Sequence, residues 1–388
     1  MKATHNYMQV IKHELSIFLL VSVLASCGNK TNEAFVLDES NLVVIDKVSA
    51  DSLIDRVSYI PLETNAHCLI ATIKRLVVYD SRVFVLNQIE DGEELLVFDL
   101  NGTFLQKVGV MGNGPKEYLA IAGFCINPYD KTIECFDQLK TKKHTYSLDG
   151  NYIRSTDIHS DCSVINTIQY IAENRLVIVN NINGFGVPLI VETDGDLNQI
   201  KVLYDTPYTF EGGYIYASNP MSAASSFILP LSTHIYTLGN NGLEPMYDLS
   251  MFSTYQPVNE DNDGLAYDVI FWAAVKKGFS HLVSVVETST TLLIDGSEYT
   301  QIFNKGSQQG IAFKSVEASK RVLPFSPKSL VAVYGKAFVG IVSRDDLANA
   351  SDYYEKHEMV PNDDLQRLIA TNDLELNPVL GLYDVKQP

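Results

Sequence analysis

Apolar residues fall along most of the chain in short runs, many alternating with polar residues at a spacing of two, and turn-forming residues separate the runs. The segments IKRLVVYDSRVFVLN (73–87), GFCINPYDKTIECFD (123–137) and TIQYIAENRLVIVNN (167–181) each read as two strands around a polar turn. Five Asx-Gly pairs follow a period: Asn101-Gly102, Asp149-Gly150, Asp194-Gly195, Asn241-Gly242 and Asp295-Gly296, at intervals of 48, 45, 47 and 54 residues. Such pairs supply the positive φ that tight hairpin turns require. Each is flanked by two apolar runs, as in LLVFDL before and TFLQKVG after the first pair. With the upstream hairpin, each unit holds about four short strands. Helical periodicity is confined to 263–279 and 345–371.

A four-strand unit recurring at about 45–50 residues is the signature of propeller blades. A β-sandwich or two small β domains would also contain Asp-Gly hairpins, but neither calls for that period. The hairpin SLVAVYGKAFVGIVS (329–343) and the final strand LGLYDVK supply most of one further blade, and N-terminal strand material such as NLVVID (41–46) is expected to complete it. Drawing the last blade from both termini removes the open edges of a linear array. The expected fold is therefore all-β: a six-bladed β-propeller of four-stranded blades with short helical insertions, occupying 41–388.

The N-terminus carries a different signal. Lys2 and Lys12 precede an apolar run from Leu15 to Ala25, the length of a secretory signal core and too short to span a bilayer. It ends in Leu24-Ala25-Ser26-Cys27, which resembles the lipobox of bacterial lipoproteins. That resemblance implies a signal peptide at 1–26, lipidation of Cys27, and a polar tether over 27–40. The expected location is the cell envelope, most simply the outer membrane, with N-terminal lipid as the sole membrane attachment. No later stretch approaches the ~18 apolar residues of a spanning helix.

Charge narrows the partners. Lys and Arg total 29 against 47 Asp and Glu, a formal charge of -18, which disfavours nucleic acid and a polybasic grip on anionic lipid. Beyond Cys27, Cys68, Cys125, Cys135 and Cys162 are irregularly spaced. If Asn127 pairs with Thr132, Cys125 and Cys135 face opposite sides of the sheet and cannot bridge. No Walker loop, G-x-S-x-G, H-E-x-x-H or C-x-x-C occurs. The run Asn259 to Gly264 imitates a calcium loop but places Ile270 where a bidentate Glu is required. No metal, cofactor or catalytic residue is assigned. Glu117, Asp137 and Asp99 are carboxylates whose convergence the sequence cannot show.

Four strings carry a family resemblance: Ile60-Pro61-Leu62-Glu63-Thr64, Val97-Phe98-Asp99-Leu100-Asn101-Gly102, Gly112-Asn113-Gly114-Pro115-Lys116-Glu117-Tyr118, and Asn377-Pro378-Val379-Leu380. Together they resemble the six-bladed β-propeller lipoproteins of Gram-negative bacteria, relatives of NHL-type propellers. The glycine-rich string reads foremost as a turn between blades. Its Asn113, Lys116, Glu117 and Tyr118 are the first candidates for a ligand site, since inter-blade connections lie near the central channel. Tyr208 and Tyr214, in an aromatic and glycine-rich segment, are the second, because exposed aromatics suit sugar faces and protein partners. The expected function is a lipid-anchored envelope module that binds or scaffolds a glycan, peptide or partner protein. The alternatives are a polymer-acting lyase or hydrolase with its site at the channel mouth, and a structural subunit of an outer-membrane uptake or sensing complex.

Overall fold

The computed structural model describes residues 34–158, 165–180, 189–205, 226–240, 242–255, 267–324 and 326–386. The chain enters through three strands, β1 (Phe35–Val36), β2 (Leu42–Ser49) and β3 (Ile54–Pro61), which serve later blades. Blade one is β4 (Thr72–Tyr79), β5 (Arg82–Ile89), β6 (Gly92–Asp99) and β7 (Phe104–Val108). Blade two is β8 (Ile121–Asn127), β9 (Thr132–Asp137), β10 (Lys142–Ser147) and β11 (Tyr152–Asp157). Blade three is β12 (Ile165–Ala172), β13 (Arg175–Asn180), β14 (Ile190–Asp194) and β15 (Gln199–Tyr204).

Blade four takes β16 (Ser226–Ile228), β17 (His234–Gly239) and β18 (Gly242–Asp248), and β1 joins β18 in parallel as its outer strand. Blade five is β19 (Leu282–Glu287), β20 (Thr291–Gly296), β21 (Thr300–Asn304) and β22 (Gln309–Glu317), with β2 as a fifth, parallel strand. Blade six is β23 (Leu330–Tyr334), β24 (Ala337–Val342) and β25 (Val379–Val385), closed by β3 running antiparallel to β25. The six sheets form a six-bladed β-propeller.

Because both faces of a blade pack on neighbours, its inner strands are continuous apolar runs, as in Val83 to Leu86 and Leu292 to Ile294. The outermost β11 has no buried residue, and half of its positions are exposed. Around the hub the first strands lie side by side in four of the six successive pairs: β8 with β12, β16 with β19, β19 with β23 and β23 with β4. In five of the first strands the pairing slips by one residue at the same place: Ile73/Arg75, Ile121/Gly123, Ile165/Thr167, Leu282/Ser284 and Leu330/Ala332. A bulge there bends each strand where the ring is narrowest.

Two sequence expectations are corrected. The strand at 41–46 does not complete blade six: it lies on blade five, and 54–61 closes the ring. Both segments have strand-compatible patterns, and only pairing partners distinguish them. Next, the Asx-Gly pairs mark the third hairpin turn in blades one to three but fall between the second and third strands in blades four and five. The even spacing across 194–241 thus joins non-equivalent turns. The helical segments are insertions between blade strands, as expected: α1 (Tyr267–Lys276) connects blade four to blade five, while α2 (Arg344–Lys356) and α3 (Asp363–Ala370) sit between β24 and β25. Both later helices have side-chain N-caps, Ser343 with a reciprocal Asp346 and Asn362 on Leu365 N.

The cysteine expectation holds. Asn127 pairs with Thr132, and Cys125 faces Glu134 while Phe124 faces Cys135. Cys125 packs toward blade three and Cys135 toward blade one, each a buried thiol whose pKa burial raises.

Candidate functional site

The glycine-rich string connects β7 to β8, from the outer strand of blade one to the inner strand of blade two. It folds on itself. Gly112 N donates to Tyr118 O at 2.8 Å and Tyr118 N to Val110 O at 3.1 Å. The Glu117 carboxylate turns back to accept Gly114 N at 2.7 Å. A Cβ on Gly112 would lie 2.3 Å from that carboxylate, and one on Gly114 2.8 Å, which explains both glycines. From the turn after β9, the Lys140 ammonium donates to the carbonyls of Gly112, Gly114 and Glu117 at 2.8, 2.9 and 2.7 Å. Glu117 is therefore engaged within its own loop, and Tyr118 is buried against blade two. Asn113 and Lys116 remain exposed, Lys116 with its ammonium 5.5 Å from the Tyr152 ring centre. Tyr208 and Tyr214, like Cys27, Cys162 and the acidic run at 259–264, lie outside the described residues.

Beneath this loop is a polar network that resembles a nucleophilic triad in composition. His144 Nδ1 and Tyr152 Oη each lie 2.8 Å from Ser155 Oγ, and His144 Nε2 lies 3.6 Å from Asp137 Oδ2. Asp137 is committed elsewhere: it accepts the amides of Leu119, Leu139 and Lys140 at 2.7, 3.0 and 3.0 Å, and Ala120 at 3.4 Å. Burial lowers the His144 pKa, against a weaker opposing pull from Asp137. The backbone amides that an oxyanion hole would need are aimed at the acid, where they tie blade two's first strand to its second. Asn87 does the same in blade one, accepting Ala71 N and Thr72 N at 2.9 and 3.2 Å. Asp99 caps the turn before β7 through Asn101 N and Thr103 N, both at 2.8 Å. The three carboxylates considered from sequence thus hold separate pieces of backbone. Among the described residues no group of three or more His, Cys, Asp or Glu side chains is placed to hold a metal ion.

The other three strings meet at the seam between blades six and one. Asn377, fully buried, accepts Ile70 N at 2.7 Å and donates to the carbonyls of Glu63 and Cys68 at 2.6 and 2.7 Å. Its own amide donates to Thr64 Oγ1 at 2.7 Å, and Arg344 Nε donates to its carbonyl at 2.6 Å. Gly102 packs against Pro61: at φ +85°, any Cβ would stand 2.1 Å from the Pro61 carbonyl oxygen. Glu63 N donates to Gly102 O, and Phe104 N to the Glu63 carboxylate, both at 2.8 Å. The next two Asx-Gly turns also dock on the preceding blade. Arg82 of blade one reaches Leu148 O and Asp149 at 2.5 and 2.8 Å, and Lys143 of blade two donates to Gly195 O. These motifs hold the ring together.

Two features escaped sequence reasoning. Arg75, on the inner strand of blade one, is buried and reaches past the Phe124 ring of blade two to donate to Ile168 O of blade three at 2.9 Å. A lone arginine before the apolar run LVVY was its only trace. The second feature is a set of exposed apolar side chains on neighbouring connectors of blades six, one and two: Leu374, Leu376, Leu69, Val110, Met111 and Leu139. Hydrogen bonds and contacts link these connectors in series. Asn377 holds Ile70, Asn87 Nδ2 donates to Leu69 O, Met111 lies over Gly92, and Lys140 holds Gly112.

One solved structure shares this fold. A Bacteroides fragilis protein inferred to be exported is similar over 89% of this chain and 100% of its own, with a TM-score of 0.64 at 15% identity. A member of the DUF4221 family from Bacteroides vulgatus aligns over 87% of this chain and 98% of its own, with a TM-score of 0.48 at 10% identity. No curated protein matches. The family model for a domain of unknown function, DUF4934, matches residues 36–384, and the chain belongs to that family.

Proposed function

We propose that this propeller is exported, held at the cell envelope by lipid on Cys27, and acts as a binding or scaffolding module for a protein partner. The observation that carries the binding role is the exposed apolar series on the connectors of blades six, one and two. Single exposed leucines are ordinary, but several on adjoining loops of a ring mark an interaction surface. Glu63, Thr64, Asp99, Glu117 and Asn377 of the motif strings are meanwhile occupied in holding backbone. The lipobox-like string supports the anchor, and the export inferred for the Bacteroides fragilis protein of the same fold fits the compartment. Within this reading the ring is an NHL-like lipoprotein propeller of the outer membrane.

Two experiments test it. Cys27→Ser is expected to abolish incorporation of labelled palmitate and to move the protein into the soluble fraction; continued labelling overturns the anchor. The combined substitution of Leu69, Leu139 and Leu376 by serine is expected to remove a complex captured by crosslinking on intact cells. These leucines are 54, 67 and 37% exposed, so stability should change by no more than about 1 kcal/mol in all. An unchanged crosslinking pattern, with the ring still folded, overturns the apolar surface as the binding face.

A further inference from the structure

Helix α1 has two unlike faces. Ile270 and Ala274 are buried with Leu231 and Phe279, which seats the helix on the first hairpin turn of blade four. Val269, Trp272, Ala273 and Lys276 are exposed, at i, i+3, i+4 and i+7, so they form one stripe. Trp272, the chain's sole tryptophan, is 60% exposed and Val269 54%. A large aromatic beside a valine, with a lysine on the last turn, is the composition of a membrane-interface anchor. The indole suits the headgroup boundary, and a lysine can extend its ammonium into water.

The place where the N-terminal segment joins the ring selects the occupant of this stripe. Ala34 leads directly into β1 on the outer edge of blade four, and Leu37 N donates to Asp248 O at 2.9 Å. From Asp248 the chain passes through exposed Met251 to Thr254, whose amide donates to Gly278 O, just beyond α1, at 3.0 Å. The tether's attachment and the exposed stripe therefore belong to one blade. Six residues lie between Cys27 and Ala34, so the seven Cα-to-Cα steps reach at most about 25 Å when extended. A lipid on Cys27 would hold blade four close to the bilayer.

We propose that the exposed face of α1 rests on the lipid surface, with Trp272 in the headgroup region, and so fixes which side of the ring faces the membrane. This rests on the lipid-anchor reading and deepens it. The run Glu260-Asp261-Asn262-Asp263 precedes the helix in sequence, so the surface expected is zwitterionic instead of strongly anionic. Membrane attachment strengthens as separate contacts are added, and α1 adds one to the lipid.

The lone tryptophan makes the test direct. Full-length protein purified from membranes is reconstituted into phosphatidylcholine vesicles with or without lipids brominated in the upper acyl chain, and tryptophan emission is read. Emission at shorter wavelength and quenching by bromolipid are expected, with Trp272→Phe as the blank. Equal quenching by aqueous iodide in vesicle-bound and vesicle-free protein overturns the proposal. Shielding from iodide without bromolipid quenching also overturns it, since a protein contact then covers the helix. Flotation of the wild type against Cys27→Ser reports the anchor separately. A floating wild type with a water-exposed Trp272 keeps the anchor and removes the helix contact. Bromolipid quenching in a protein that floats equally well as Cys27→Ser does the reverse.

Discussion

Asn377→Ala is expected to destabilise the propeller by about 3 kcal/mol or more, among the largest effects of any single polar substitution here. The side chain is fully buried and serves three backbone groups from a connector more than 300 residues away in sequence, Ile70 N, Glu63 O and Cys68 O. Alanine leaves all three without that partner, each at about 1–3 kcal/mol where water cannot replace it. Asn377→Asp is the sharper version. It keeps an acceptor for Ile70 N but turns a second carboxylate oxygen toward two carbonyl oxygens, so it is expected to be at least as damaging as alanine. Urea unfolding of the three proteins measures this. An aspartate variant as stable as wild type would show that the amide does not clasp the seam.

At the hub, Arg75→Ala is expected to lower stability by about 2–5 kcal/mol through the space vacated between three inner strands and the lost bond to Ile168 O. Arg75→Met is expected to recover most of that loss. The guanidinium is desolvated, with its pKa pushed down to about 10, and Nε and Nη1 have no hydrogen-bond partner among the described residues. Folding therefore penalises the charged form at neutral pH, and an apolar side chain of similar length avoids the penalty. The pH dependence has a definite sign. The unfolded arginine binds its proton more tightly, so wild-type stability gains as pH rises above about 10, and Arg75→Met lacks this contribution. Comparing the unfolding free energies of both variants at pH 7 decides the matter. If methionine is no better than alanine, the Ile168 bond outweighs packing and charge.

The fold was legible because blades repeat a local grammar. Strand runs such as RVFVLN and turns such as Asp149-Gly150 declare themselves within a few residues, and the Cys125 and Cys135 faces followed from one turn register. Strand ownership was not legible. NLVVID and IDRVSYIP are both plausible edge strands, and their partners, Gly310–Glu317 and Val379–Val385, lie more than 250 residues away. The motif strings stood out as strings, yet their roles depended on side chains supplied from elsewhere. Lys140 explains the loop at 112–118, and Pro61 explains why position 102 is glycine.

By itself, then, the sequence determined an all-β propeller of six blades and a lipobox-like N-terminus, because hydrophobic period and turn chemistry are local properties. Tertiary structure alone decided that residues 35–61 run across the outer edges of blades four, five and six, and that three of the four motif strings meet at the ring's closure. It alone placed six apolar side chains on adjoining connectors and left Trp272 facing solvent. Closing a ring joins residues distant in sequence, and neither those pairings nor the exposed surface remaining after packing has a signature in any single stretch of chain.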